Sequence, residues 1–155
     1  MNTVFRRTKT QTTLPARQLK ALIVDDDEQI QRMLRRVFGQ CHFAVDIART
    51  CQEALGKAGA RIYDLALVDV NLSDGNGLDL IEPIRKFSPL IEIISMTGDN
   101  PRALEAEARK HKVAYHLIKP IDFQELISVL MHISRRVRQS PFPTSLETVT
   151  GACHV

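Results

Sequence analysis

The chain has 155 residues, of which 44% are hydrophobic and 25% charged, with a net charge of +3 at pH 7. That length fits one domain with a core of ordinary size, and no apolar run approaches the roughly 20 residues that a membrane span needs. So mild a positive balance is no argument for nucleic-acid binding, which is not expected. The three cysteines, Cys41, Cys51 and Cys153, stand in no metal-binding spacing and read as free thiols in a reducing cytoplasm.

Residues 1–18 carry Arg6, Arg7, Lys9 and Arg17 without an acid and read as a basic, disordered tail. No apolar stretch follows the arginines, so the segment makes a poor secretory signal. Leu22 to Val24 is a β run closed by acids. Ile30, Met33, Leu34, Val37 and Phe38 then recur at helical spacing on one face, with Gly39 as the expected stop. Phe43 to Ala48 predicts a second strand, and Thr50 to Glu53 has the spacing of a capping box that opens a second helix. Leu65 to Val68 is a continuous apolar run of the buried parallel type.

Ser73-Asp74-Gly75-Asn76-Gly77 predicts a loop. The helix after it carries Leu78, Ile81 and Ile84, with Pro83 sitting awkwardly inside. Leu90 to Met96 is the expected fourth strand, and Asp99-Asn100-Pro101 a helix start. Val113 to Ile118 is the expected fifth strand. The last helix turns Phe123, Leu126, Ile127, Leu130, Met131 and Ile133 inward and ends in Arg135, Arg136 and Arg138, where cations complement the helix dipole. Residues 140–155, with two prolines and many hydroxyls, read as a C-terminal tail or linker.

Five strand–helix units in alternation, over residues 19–139, predict an α/β fold with a doubly wound parallel sheet. Right-handed crossovers favour the flavodoxin-like (βα)5 strand order 2-1-3-4-5. That order makes strands 1 and 3 neighbours, so Asp25, Asp26 and Asp69 would sit side by side at the C-terminal edge. Carboxylates packed so closely need a cation, and Mg2+, which takes oxygen ligands and is commonly shared with phosphate, suits them. Asp69, ending the central buried strand, can act as a nucleophile toward phosphorus. Thr97 and Lys119 end neighbouring runs and can hold phosphoryl oxygens, with the backbone N–H groups near Val70 and Gly98 as further donors.

With those residues in place, the stretch from about Lys20 to Gln139 resembles a two-component response-regulator receiver domain, of the stand-alone chemotaxis-regulator type. The acid pair of LIVDDDEQ, the aspartate of LALVDVNLSDGNGLDL, the threonine of IISMTG and the lysine of HLIKP carry the likeness. The resemblance implies that Asp69 is the phosphoacceptor. It implies Mg2+ on Asp26, Asp69 and the Asn71 main-chain carbonyl, with Asp25 acting through water. Thr97, Lys119 and Gly98 would bind the phosphoryl group, and the Lys119–Pro120 bond would be cis. Asn71 and Asp99 occupy the positions that tune dephosphorylation in that family. Asp27 is expected to face solvent or cap the next helix.

The implied partners are a histidine kinase or phosphotransfer protein and a downstream target on the helix 4–strand 5–helix 5 face, with homodimerisation as a further use of it. Turnover of an external substrate is not expected. An aspartate-based phosphohydrolase would need a second acid where Asn71 stands. A scaffold independent of phosphorylation, or the receiver part of a longer transcriptional regulator, are the alternatives. The chain departs from the family at Ser73, where proline is usual, at His111-Lys112-Val113, and at His116, where the switch position is usually aromatic.

Overall fold

The computed structural model describes residues 17–98 and 101–140. The parallel sheet is built from β1 (Leu19–Val24), β2 (Phe43–Ala48), β3 (Leu65–Asp69), β6 (Glu92–Thr97) and β7 (Tyr115–Ile118). Their order is β2-β1-β3-β6-β7, which is 2-1-3-4-5 counted along the parallel strands, as the sequence predicts. Between β3 and β6, β4 (Asn71–Leu72) and β5 (Gly75–Asn76) form a small antiparallel hairpin. The helices are α1 (Glu28–Gln40), α2 (Cys51–Ala60), α3 (Ile81–Phe87), α4 (Pro101–Lys110) and α5 (Phe123–Gln139).

Alternation along each strand divides the interior in two, because successive side chains leave opposite faces. Ala21, Ile23, Leu65, Leu67, Ile94, Met96 and Leu117 pack with Leu34 and Phe38 of α1 and with Leu126, Leu130 and Ile133 of α5. Leu22, Val24, Ala66, Val68 and Ile93 face the other way, against Ala54 and Ala58 of α2 and Ile81 and Ile84 of α3. β3 is buried along its whole length, as expected for the middle of a sheet covered on both sides.

Several boundaries differ from the sequence reading for local reasons. The first helix runs past Gly39 to Gln40, and the left-handed residue that ends it is His42, at φ 62°. The fourth parallel strand begins at Glu92 because Ile91 N–H donates to Ser88 O, closing a turn, and Leu90 is left exposed. The fifth begins at Tyr115, since Lys112 is left-handed and Val113 N–H still donates to Ala108 O. Pro83 is not awkward after all. A 3₁₀ turn over Gly77–Leu80 precedes α3, so Pro83 lies in the first turn, where N–H groups lack α-helical acceptors.

The folded unit reaches back to Arg17. Its guanidinium pairs with the buried Asp64 carboxylate at 2.6 and 3.0 Å, and its carbonyl accepts from Arg138 at 3.3 Å. Residues 1–16 and 141–155, which hold most of both expected tails and Cys153, lie outside the described residues.

Candidate functional site

Strand register assembles the rim. Val24 pairs with Val68, so the next residues, Asp25 and Asp69, emerge side by side. Asp69 pairs with Met96, which puts Thr97 one step further along β6. Thr97 in turn pairs with Ile118, and Lys119 follows it, its N–H donating to Thr97 O at 2.7 Å. No two of these segments are close in the chain. The parallel alignment brings them to one edge.

Lys119 Nζ lies 2.7 Å from Asp69 Oδ2 and 3.3 Å from Asp25 Oδ2. The other Asp69 oxygen accepts from Asn71 N–H at 3.1 Å. The remaining Asp25 oxygen accepts from Asp27 N–H at 2.7 Å. Carboxylate oxygens of Asp25, Asp26 and Asp69 lie within 4.8 Å of one another, with Asp26 exposed and the other two buried. Thr97 is fully buried at the end of β6, and Gly98, next in the chain, stands against the Lys119 side chain.

Burial pushes the Asp25 carboxyl above its ordinary value, and the Asp69 charge adds to this. The Asp27 N–H and Lys119 oppose both effects without cancelling them. Burial works against the charge on Lys119, but the hydrogen bond and charge of Asp69, helped by Asp25, hold its ammonium above the ordinary lysine value. Among the described residues, three carboxylates therefore face a single ammonium, with two negative charges in excess when all are ionised. Oxygen donors at that spacing around an excess of negative charge are what Mg2+ requires.

Asp27 faces neither the acids nor Lys119. It is the N-cap of α1, accepting from Gln29 and Ile30 N–H at 2.8 and 3.2 Å. Asp99 lies outside the described residues, so its part in the site has no structural counterpart here. Asn71 opens the hairpin, paired with Asn76. Ser73 occupies the turn of that hairpin with Asp74, whose carboxylate accepts from Cys51 and Gln52 N–H at the start of α2. His116 is partly buried, with its Nε2 shielded from solvent. Its Nδ1 lies 2.7 Å from Ser95 Oγ. The Lys119–Pro120 bond is cis.

Three residues near the rim went unread in the sequence. Gln31 is buried and donates to the Asp25 carbonyl at 2.5 Å; its place three residues before Leu34, on the apolar stripe of α1, was the available sign. Ser95 is a polar residue within an apolar strand and shares its face with Thr97, a period-2 signal. Gly77 N–H donates to Val70 O at 2.8 Å, and a Cβ there would fall on the Asp69 carbonyl oxygen and crowd Val68. Nothing local in the sequence announces that approach.

The comparisons agree with this geometry. The family model described as the response regulator receiver domain matches residues 21–131. The chain is similar to the acid tolerance regulatory protein ActR of Rhizobium meliloti (strain 1021), at 36% identity over 129 residues, covering 83% of this chain and 66% of the relative. It is also similar to the photosynthetic apparatus regulatory protein RegA of Rhodovulum sulfidophilum, at 36% identity over 110 residues, covering 71% of this chain and 60% of that one. The chain thus spans less than two thirds of these relatives' lengths. Among solved structures, a two-component response regulator from Clostridium difficile superposes with a TM-score of 0.72 at 32% identity, covering 77% of this chain and 98% of that one. A response regulator from Burkholderia pseudomallei, solved with a phosphorylated aspartic acid, calcium ion and citrate, gives 0.68 at 29% identity over 77% of this chain and 71% of its own. Motif, sheet order, rim geometry and family match converge, and the chain belongs to the response regulator receiver domain family.

Proposed function

We propose that this chain is a phosphorylation-operated switch that takes a phosphoryl group onto Asp69 from a histidine kinase or phosphotransfer protein. The observation that carries the reading is the buried Asp69 carboxylate, held at 2.7 Å by Lys119 and flanked by Asp25 and Asp26. A carboxylate oxygen of Asp69 attacks phosphorus in line as the donor's P–N bond breaks, and the electron pair stays on the imidazole nitrogen, which picks up a proton. The burden on the protein is positioning and charge compensation. Mg2+, held by Asp26, Asp69 and the Asn71 carbonyl with Asp25 through water, would neutralise phosphoryl oxygens when bound.

Lys119 moves its hydrogen bond from Asp69 to a phosphoryl oxygen, and Thr97 and the Gly98 N–H serve the others. The Lys119–Thr97 backbone link joins β7 to β6, so a shift at Thr97 reaches the face formed by α4, β7 and α5. That face binds the downstream target or a second copy of the chain. The protein turns over no external substrate, and Asn71 with Asp99 sets how fast water removes the phosphoryl group. Free Cys41 and Cys51 suit a reducing cytoplasm. No helix among the described residues is long and apolar enough to cross a membrane. Because the curated relatives are longer, the chain also fits the receiver part of a larger regulator.

The test is incubation with a small-molecule phosphodonor, with and without Mg2+, followed by intact mass measurement of wild type and Asp69→Asn. A Mg2+-dependent gain of one phosphoryl group, absent from the variant, is expected. A folded, Mg2+-binding protein that gains none would instead favour a scaffold independent of phosphorylation.

A further inference from the structure

The interface of β6, β7 and α4 holds a histidine that is anchored at one nitrogen and left without a partner at the other. Ser95 and His116 are register partners on adjacent strands, with Nδ1 2.7 Å from the serine hydroxyl. Nε2 is buried and has no hydrogen-bond partner. In one neutral tautomer Nδ1 accepts the Ser95 O–H and an Nε2–H goes unpaired; in the other Nδ1–H donates and Nε2 is an unpaired acceptor. The neutral ring survives either arrangement at modest expense. A protonated ring carries N–H on both nitrogens, and a buried charged donor without an acceptor is much less tolerable.

Among the described residues, the groups around the ring give the charge one outlet. β6 presents the neutral Ser95, while its one acid, Glu92, is engaged with Arg136 of α5. On β7, Tyr115 faces the other side, edge-to-face with His132. From α4, Glu105 is the charged side chain that acts on the ring, and it is exposed and paired with Arg109 at 2.5 Å. Leaving Ser95 brings Nε2–H toward water and Glu105.

We propose that the Ser95–His116 pair is a proton-operated latch: neutral His116 is held against β6, and protonation swings its ring out toward Glu105, reshaping the β7–α4 face without phosphorylation. Ser95 lies two residues before Thr97 on the same face of β6, and Ile118, two residues after His116, pairs with Thr97. The latch therefore acts on the same strands that bear the rim residues, from the opposite direction to the phosphoryl site. It does not depend on phosphoryl transfer, and its test uses no phosphodonor.

Burial holds the His116 pKa below the ordinary value of 6.5, against a smaller pull from Glu105. The experiment is long-range 1H–15N histidine spectroscopy of the full chain between about pH 5 and pH 8, with backbone amides followed in the same samples. In wild type, His116 should titrate with a midpoint below 6.5, and the Ser95, Thr97 and α4 amides should move with that same midpoint. Ser95→Ala keeps the ring but removes its anchor, and should bring the midpoint back up toward 6.5. His116→Gln should abolish the amide transition. An ordinary His116 midpoint with still amides, a midpoint indifferent to Ser95→Ala, or an amide transition that persists in His116→Gln would each overturn the latch.

Discussion

Lys119 sets the charge balance of the rim. Among the described residues it is the one ammonium against Asp25 and Asp69, and its side chain is only 23% exposed. Removing it leaves two buried carboxylates facing each other, which must then take up a proton or draw in a cation. Lys119→Met should lower stability at pH 7 by about 1–3 kcal/mol, a fully buried pair being discounted here for partial exposure. Urea unfolding would measure this, and added Mg2+ should restore part of the loss. Phosphoryl uptake by the same variant should fall by about tenfold or more. Gly77 exerts a steric control of comparable weight. An alanine there would push on the Asp69 carbonyl and Val68, so Gly77→Ala should cost about 1–3 kcal/mol. It should slow phosphorylation as well, whereas Gly56→Ala, with open space around it, should do neither.

At the scale of elements, the N-terminus of α2 is where the loop after β3 is fastened. Thr50 Oγ accepts from Glu53 N–H at 3.1 Å, and Glu53 reaches back to Arg49 N–H at 2.9 Å. Asp74, from the turn of the hairpin, accepts from Cys51 and Gln52 N–H at 2.8 and 3.2 Å. The hairpin that presents Asn71 is thus tied to a helix end by a carboxylate, which the helix dipole favours. Those N–H groups draw the Asp74 carboxyl below its ordinary 3.8. Since the folded value is the lower one, the unfolded chain binds more protons in that window, and stability falls as pH drops. The contribution is complete above about 3.8 and disappears as pH falls through the depressed value. Asp74→Asn should therefore flatten the acid limb of a stability-versus-pH curve, and a curve identical to wild type would refute this role. Thr50→Ala should cost about 1 kcal/mol at any pH in the neutral range, as loss of a cap.

For the whole molecule, the sheet is a frame that spends its interior on two apolar layers and leaves an uncompensated acidic edge. A ligand that binds only the folded form must raise its stability. Mg2+ at one hundred times its Kd should add about 2.7 kcal/mol, visible by calorimetry as a rise of several degrees in Tm. Asp26→Asn removes the exposed acid without disturbing the Lys119 contacts, and should lose most of that rise. An undiminished rise would place the cation elsewhere. The two layers also give β6 and β7 two different faces. Met96 and Leu117 pack toward α1 and α5, while Ser95 and His116 meet on the side of α4.

By itself the sequence determined the alternation of strands and helices, and with it the sheet order. Continuous apolar runs such as Leu65–Val68 and helical stripes such as Ile30–Phe38 are local patterns that burial enforces. It also determined the identity of the rim acids, Thr97 and Lys119, because strand ends in a parallel sheet must share one edge. Tertiary structure alone decided which partner each side chain took. Asp74 crossed 23 residues to α2, and His116 settled against Ser95, 21 residues away. Composition and periodicity report whether a residue is buried. Pairings across such separations depend on strand register and on the packing of elements distant in the chain, and no local window contains them.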